Sequence, residues 1–367
     1  MAEKAIRLGG ESTADAIVSA VDAMYTEHTF AEKDFALKHN DDEIAVDTNF
    51  AAQNFWKEAL IRFFNKKSAV LGLVLIVIIV LLAVFGPGMN SYTYSGQDLS
   101  QKNFAPRVPG IEQFGILDGS EKMSTTTGTK IVNNYVEKGK DDVYYWFGSD
   151  LYGRDIWTRT WEGARVSLII AVAAAVIDML IGMSYGLISG YFGGRVDMVM
   201  QRFLEVANGI PRLVIVTLLL LVLQPGMVTI IFALMLTEWV GMSRIARAEM
   251  LKLKDQEFVL ASRTLGAGSF FIIFKEVLPN IIGPIITQVM FSIPTAIFTE
   301  AFLSFVGLGI PVPQCSLGSL ISELYNSFTT HPYQIIPPIV VMSLLMLSFN
   351  LLADGLREAL DPKMKSM

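Results

Sequence analysis

The residues able to perform chemistry are few in this sequence, and their spacing does not assemble a catalytic or metal site. There is one cysteine, Cys315, so neither a disulfide nor a cluster of thiolate ligands can form within the chain. The three histidines, His28, His39 and His331, lack the spacing of metal ligands. The sequence contains no phosphate-binding loop of the form Gly-x-x-x-x-Gly-Lys-Ser/Thr and no nucleophile motif. It therefore predicts a protein that is not an enzyme and binds no metal or cofactor itself.

Three acidic side chains, Asp178, Glu238 and Glu300, lie within or next to strongly apolar stretches of the sequence. An ionised carboxylate in the interior of a bilayer is costly unless water or a partner group compensates its charge. The three residues are therefore candidates for the wall or gate of a water-filled passage. The alternative is a structural role, in which each carboxylate is bonded to a neighbouring helix or to a second subunit.

A second polar group occupies the stretch WFGSDLYGRD at 146–155, in a long connection between apolar segments. Its candidate residues are Asp150, Gly153, Arg154 and Asp155. Ion pairs among these charges would fix the connection over the mouth of a passage, whereas ordinary surface charges would not. The pattern alone leaves both interpretations open.

The segment 257–280, EFVLASRTLGAGSFFIIFKEVLPN, lies between two long apolar segments and is too polar to remain in the membrane. Gly266 and Gly268 interrupt a helical pattern that then restarts and ends at Leu278 and Pro279, which predicts a helix, a tight turn and a second helix. The second helix would carry an exposed hydrophobic tip formed by Phe270, Phe271 and Phe274. Such a tip is typical of a surface that binds a partner, and a well-packed cytoplasmic loop is the alternative.

Membrane-spanning helices are the elements that must position these residues. Hydrophobic residues make up 52% of the 367 and charged residues 17%, which is too apolar a composition for an ordinary soluble protein. The apolar residues are clustered in runs at 69–85, 166–194, 213–237, 281–299 and 333–353. The third run is split by a turn signal at 224–226, and its first half must start near Met198 to cross a bilayer. We therefore predict an all-α, polytopic protein with six transmembrane helices.

The distribution of charge predicts the orientation of these helices. The connection 244–280 holds six basic and four acidic residues, and further lysines or arginines lie just before the first span and after the last. Because short connections rich in Lys and Arg stay in the cytoplasm, we expect both termini and this connection to be cytoplasmic. The long connection 86–164 then faces outward. The first 50 residues have no apolar core, so no cleavable signal peptide is predicted.

Four regions follow from these patterns. Residues 1–50 form an acidic cytoplasmic tail with 11 acidic and 4 basic residues, a net charge of −7, so the remainder of the −6 chain carries +1. Residues 51–67 form an amphipathic helix in the membrane interface. Residues 68–353 form the six-span domain, which includes the outer loop 86–164 and the cytoplasmic loop 244–280. Residues 354–367 are a cytoplasmic C-terminal tail.

The chain resembles the permease subunits of ATP-binding-cassette importers of the oligopeptide/dipeptide class, and specifically the second permease subunit. In the family, a cytoplasmic loop reads Glu-Ala-Ala, three residues, Gly, then Leu-Pro. The matching residues are Leu260, Ala261, Ser262, Gly266, Leu278 and Pro279. Further blocks at 148–155, 190–194, 303–309 and 354–362 resemble the family in the same order. The chain departs from it at Leu260, where the family has glutamate, so any pairing by that glutamate is absent here or moved to Glu257.

The resemblance implies a type I ABC importer permease architecture in a bacterial cytoplasmic membrane. Two homologous permease subunits would form the passage, and two cytoplasmic ATPase subunits would use ATP and Mg. An extracellular or lipid-anchored binding protein would deliver an oligopeptide or dipeptide, and no nucleic acid is involved. The cytoplasmic loop would couple to an ATPase subunit through the residues named above together with Ala267, Phe270, Phe271 and Phe274. Nickel, glutathione or haem importers of the same family are alternatives.

Two alternatives come from other classes of protein. A proton-coupled secondary transporter would use Asp178, Glu238 and Glu300 as a relay, but such folds usually show two similar halves and no internal repeat is visible here. A membrane scaffold would anchor a complex through the acidic tail and transport nothing. The acidic tail and the extended part of the outer loop at 91–141 receive no role from the sequence.

Overall fold

The computed structural model describes residues 55–125 and 128–360. The acidic tail 1–50, the start of the predicted interfacial helix and residues 361–367 of the C-terminal tail lie outside the described residues. The helices are α1 (Phe55–Asn65), α2 (Lys67–Phe85), α3 (Asn134–Glu137), α4 (Ile156–Phe192), α5 (Gly194–Gly209), α6 (Arg212–Val222), α7 (Met227–Leu253), α8 (Glu257–Thr264), α9 (Ser269–Leu308), α10 (Leu317–Tyr325) and α11 (Ile336–Leu360). Two strands, β1 (Ser120–Thr125) and β2 (Gly128–Asn133), lie between α2 and α3.

Five of these helices are long and apolar enough to cross a membrane, namely α2, α4, α7, α9 and α11. A sixth span exists if α5 and α6 are counted together, although the two helices are bent by 77° relative to each other. With the bent pair counted as one span, the predicted all-α architecture with six transmembrane helices is confirmed. The prediction of one continuous third helix starting near Met198 was wrong. Ile210 is extended because it precedes Pro211, and a residue before proline is disfavoured in the helical conformation.

The helices pack around one main apolar core. α2 and α9 both lie against α11, α9 also packs on α4, and α7 packs on α4 along most of its length. The α4–α7 contact depends on glycines spaced four residues apart on α4. A side chain at Gly186 would approach the Ala246 Cβ to 2.8 Å, and one at Gly190 would approach the Met250 Cβ to 2.9 Å. Small residues at this spacing let two helices pack closely in a membrane, so α4 and α7 form a tightly fitted pair.

The outer loop folds around an aromatic cluster of its own. Phe104, Tyr135 and Tyr145 are buried together, and the Phe104 and Tyr135 rings lie 4.4 Å apart between centroids. β1 and β2 form an antiparallel hairpin beside this cluster, with Ser120 opposite Asn133. The sequence did not predict the hairpin, because neither strand alternates clearly between polar and apolar residues.

Candidate functional site

The turn after α8 has a specific backbone geometry. The Ala267 N–H donates to the Ser262 carbonyl and the Gly266 N–H donates to the Arg263 carbonyl, each at 3.0 Å. Gly266 has a φ of 84°. These are the bonds and the left-handed residue of a Schellman motif, which ends a helix at a glycine. Gly268 differs, because its φ of −70° and ψ of 150° are accessible to any residue.

The turn presents apolar side chains to the surroundings. Leu265 is 87% exposed, Phe270 65% and Phe271 50%. Phe274, the third residue of the predicted tip, is half-buried and stacks on Phe270 with the ring centroids 6.4 Å apart. The remaining residues of the loop motif divide into two groups. Leu260, Ala261 and Pro279 are exposed, whereas Ser262, Ala267 and Leu278 are half-buried.

Below its exposed side chains, the α8–α9 turn packs firmly against α4 and α7. Val259 on α8 and Ile272 on α9 are fully buried in a cluster that includes Leu187 of α4 and Met250 of α7. The helix predicted to end at Leu278 and Pro279 instead continues to Leu308, so that prediction was wrong. A π-helical segment, Ile272–Val277, ends two residues before Pro279. A wider turn of this kind accommodates the proline, which would otherwise clash with the carbonyl four residues before it.

A ring of four charges, three of them buried, lies at the N-terminal end of α4. Asp150 accepts hydrogen bonds from Arg154 Nε and from Arg159 Nη1, both at 2.7 Å. Glu323 on α10 completes the ring by pairing with Arg154 and, at 2.7 Å, with Arg159 Nη2. The ring joins the outer loop, α4 and α10. Burial alone would raise the pKa of Glu323, but Arg159 and Arg154 beside it lower that pKa below its usual value.

Asp155 and Gly153 have backbone roles in the same region. Asp155 Oδ2 accepts from the Thr158 N–H at 2.8 Å and from Asn90 Nδ2 at 2.8 Å, so it caps the first turn of α4. Burial raises the pKa of Asp155, although these hydrogen bonds oppose the rise. Gly153 has a φ of 72°, and a Cβ there would collide with the backbone of Asp98. The sequence identified four members of this motif but missed Glu323, which no motif marks.

The three carboxylates in the spans have separate partners. Ser292 Oγ donates to Asp178 Oδ2 at 2.5 Å. Glu238 Oε1 lies 2.7 Å from Arg212 Nη1, an ion pair by distance although its angles are not those of a hydrogen bond. Asp178 sits at the start of a π-helical segment of α4, Asp178–Met183, and its second oxygen has no hydrogen-bond partner among the described residues.

Glu300 is fully buried and enclosed by hydroxyl groups. It accepts hydrogen bonds from Ser304 at 2.7 Å, from Ser316 at 2.5 Å and from Ser167 at 3.2 Å. These serines belong to α9, to the cap of α10 and to α4, so the carboxylate connects three elements. Within residues 55–125 and 128–360, no three His, Cys, Asp or Glu side chains are placed to hold a metal ion.

Comparison with known proteins gives two family matches. Residues 182–366 match the family described as "Binding-protein-dependent transport system inner membrane component", and residues 54–106 match the "N-terminal TM domain of oligopeptide transport permease C". Several relatives that overlap most of the chain are named as peptide permeases. The oligopeptide transport system permease protein OppC of Bacillus subtilis is 41% identical over 312 residues, covering 85% of this chain and 91% of that protein.

Two dipeptide transport system permease proteins named DppC are similar to the same extent. The one from Bacillus subtilis is 39% identical over 90% of this chain and 93% of its own length. The one from Lactococcus lactis is 42% identical over 85% of this chain and 92% of its own length. A solved chain of an inward-facing form of the MetNI methionine ABC transporter covers 54% of this chain at 15% identity, with a TM-score of 0.47. That structural similarity is too low to support a conclusion.

Proposed function

The chain belongs to the family of inner-membrane components of binding-protein-dependent transport systems, and from this premise we propose that it is the permease subunit of an ATP-driven importer of oligopeptides or dipeptides. The observation that carries the proposal is the 41% identity over 91% of a relative named for oligopeptide transport. Dipeptide permeases match at similar identity, so peptides as a class, rather than one peptide length, are the proposed substrate.

Coupling to ATP hydrolysis is assigned to the turn between α8 and α9. A docking element must expose an apolar surface to its partner and yet be rigid enough to transmit force. The exposed Leu265, Phe270 and Phe271 supply the surface. The buried cluster that contains Val259 and Ile272 supplies the rigidity. One of two ATPase subunits, which bind ATP and Mg, would receive this element in a surface groove. The chain itself hydrolyses no ATP.

A second, homologous permease subunit would complete the passage, and a binding protein outside the membrane would deliver the peptide. The ring of Asp150, Arg154, Arg159 and Glu323 fixes the outer loop to the ends of α4 and α10 at the mouth of that passage. We assign Glu300 to holding α4, α9 and α10 together, because three serines occupy its carboxylate. Asp178 and Glu238 remain candidates for the passage wall.

The protein is a multi-pass protein of the inner membrane. Within that membrane we propose that both termini and the α8–α9 turn face the cytoplasm, while the outer loop with its hairpin faces outward. The excess of basic residues in 244–280 supports this orientation.

Growth of an amino-acid auxotroph on peptides tests the proposed substrate. Deletion of the gene in an amino-acid auxotroph should abolish growth on di- and oligopeptides that contain the required amino acid, while growth on the free amino acid persists. A plasmid copy should restore growth on peptides. Unimpaired growth of the deletion strain on peptides, combined with loss of nickel, glutathione or haem uptake, would contradict the peptide assignment and favour the alternative importers.

A further inference from the structure

The glycine-rich stretch 190–194 is a sequence motif that the proposed function does not yet explain. Gly193 and Gly194 have φ values of 61° and 52°, and they form the connection between α4 and α5. This turn folds the start of α5 back beside the end of α4 and places Asp197 next to α7. The motif therefore sets the position of one acidic side chain relative to two other helices.

Asp197 is held from two directions. Arg247 on α7 donates from Nε to Oδ1 and from Nη2 to Oδ2, both at 2.6 Å, which is a bidentate pair. Ser189 on α4 donates to Oδ1 at 2.6 Å. A bidentate pair fixes direction as well as distance, because the planar guanidinium must align with the carboxylate. The start of α5 is thereby locked to α7.

A second ion pair joins the other half of the broken span to the same helix. Arg212, the first residue of α6, pairs with Glu238 of α7 at 2.7 Å. Arg212 also donates to Thr299 Oγ1 of α9 at 3.4 Å. The break before Pro211 lies between the two pairs, so α7 holds the bent α5–α6 unit on both sides of its bend.

α7 is also the helix that leads into the proposed docking element. Only residues 254–256 separate the end of α7 from the start of α8. α8 contacts the end of α4 as well, because the Arg263 guanidinium lies 5.4 Å from the centroid of the Tyr191 ring. α8 is therefore connected to α7 by a short link, and the ion pairs connect α7 to α5 and α6.

We propose that Asp197 and Arg247 are positioning residues, whose bidentate pair transmits the movement of α8 to the bent α5–α6 unit and so links ATP hydrolysis to opening of the passage. This inference rests on the proposed function. The pair is partly exposed, with 17% of the Asp197 side chain and 31% of the Arg247 side chain accessible, so water screens its contribution to stability. Its loss should uncouple transport rather than unfold the protein.

The test uses the complete importer in proteoliposomes, with ATP hydrolysis and uptake of a labelled peptide measured on the same preparation. Asp197→Asn should keep ATP hydrolysis within about twofold of the parent and lower peptide taken up per ATP by about tenfold, as expected for loss of one coupling contact. Asp197→Arg combined with Arg247→Asp restores opposite charges and should recover much of the uptake. Glu205→Gln, which breaks the exposed Arg202–Glu205 pair on the same helix, should change neither quantity.

The outcomes separate this inference from the proposed function. A parent complex that shows no ATP-driven uptake would contradict the proposed function itself. A parent that transports, combined with an Asp197→Asn variant of unchanged uptake per ATP, would overturn only the role of the pair. The role would also be overturned if hydrolysis and uptake fell together in Asp197→Asn, or if the charge exchange recovered nothing, because each result indicates a purely structural contact.

Discussion

Arg159 and Asp150 form an ion pair from which water is excluded. Arg159 Nη1 lies 2.7 Å from Asp150 Oδ2, and the two side chains are 0% and 2% exposed. Asp150 is in the outer loop and Arg159 is in the first turn of α4, so the pair fixes a long loop to a membrane-spanning helix. Because both charges are buried, removal of either one leaves its partners in the ring with a single remaining opposite charge.

Asp150→Asn should therefore destabilise the protein strongly. The substitution conserves shape but leaves Arg154 and Arg159 with Glu323 as their remaining carboxylate, and breaking a buried pair costs about 3–5 kcal/mol. We expect a clear fall in the apparent Tm of the detergent-solubilised protein. Glu205→Gln is the matched control, because its exposed pair contributes about 0–1 kcal/mol. Equal Tm values for the two variants would show that the ring is not important for stability.

The lowered pKa of Glu323 predicts a dependence of stability on pH. The folded-state pKa lies below the ordinary value of 4.5, so this carboxylate stabilises the fold above that pH, and the stabilisation is lost as pH falls through the folded-state pKa. Lowering the pH from about 6 to about 3.5 spans the titration of an ordinary glutamate. The apparent Tm should fall more in the parent than in Glu323→Gln.

Asp155 also titrates in this range, but its raised pKa affects the pH dependence of stability with the opposite sign. Because Asp155 is present in both the parent and Glu323→Gln, it does not alter the difference between them. A parent and a Glu323→Gln variant with parallel Tm curves would indicate that Glu323 is not paired in the folded state.

The two glycines of the α8–α9 turn should respond differently to the same substitution. Gly266 has a φ of 84°, so Gly266→Ala forces a side chain into a left-handed conformation at a cost of about 1 kcal/mol. Gly268→Ala adds the same methyl group at a permitted conformation. Neither added Cβ would clash with a neighbouring residue, so the left-handed backbone at Gly266 is the main difference between the sites.

We expect Gly266→Asp, which adds a charge to the docking surface as well, to insert normally and to lose both uptake and co-purification of the ATPase subunits. Gly266→Ala should be impaired to a smaller degree, and Gly268→Ala should remain largely active. Parental transport by Gly266→Asp would mean that the turn is a connector without a partner.

The proposed orientation predicts which engineered thiols can be labelled from outside intact cells. A cysteine at Val136, which is 66% exposed in the outer loop, should react with a membrane-impermeant maleimide. In cells that lack the ATPase subunits, a cysteine at Leu265, which is 87% exposed in the α8–α9 turn, should react only after the membrane is permeabilised. The native Cys315 is buried and serves as the unlabelled background. The reverse pattern would invert the topology and remove the turn from the cytoplasm.

Much of this architecture follows from local sequence. The apolar runs predict five clear spans because a bilayer requires long uncharged helices, and the Gly266 turn follows from a glycine placed just after a helical pattern. The break before Pro211 also had a local signal. The length needed to cross a bilayer favours one continuous helix at this place, whereas the structure has two helices bent by 77°.

The contacts that join distant parts of the chain could not be predicted in the same way. Glu323 is 164 residues from Arg159, and nothing in its local sequence distinguishes it from a surface glutamate. Glu300 was equally ambiguous, because its three serine partners belong to separate elements that only the tertiary fold brings together. Pairing of charges at long range depends on helix packing, which periodicity does not encode.

Uptake by purified components tests the central claim most directly. The chain should be reconstituted in proteoliposomes with its partner permease, its ATPase subunits and its binding protein, and accumulation of a labelled peptide should be measured with ATP supplied to the ATPase side. We predict accumulation that requires ATP and every component, and none when the chain alone is given a proton gradient. Accumulation by the chain alone under a proton gradient, without ATP or partners, would contradict the account and identify a secondary transporter.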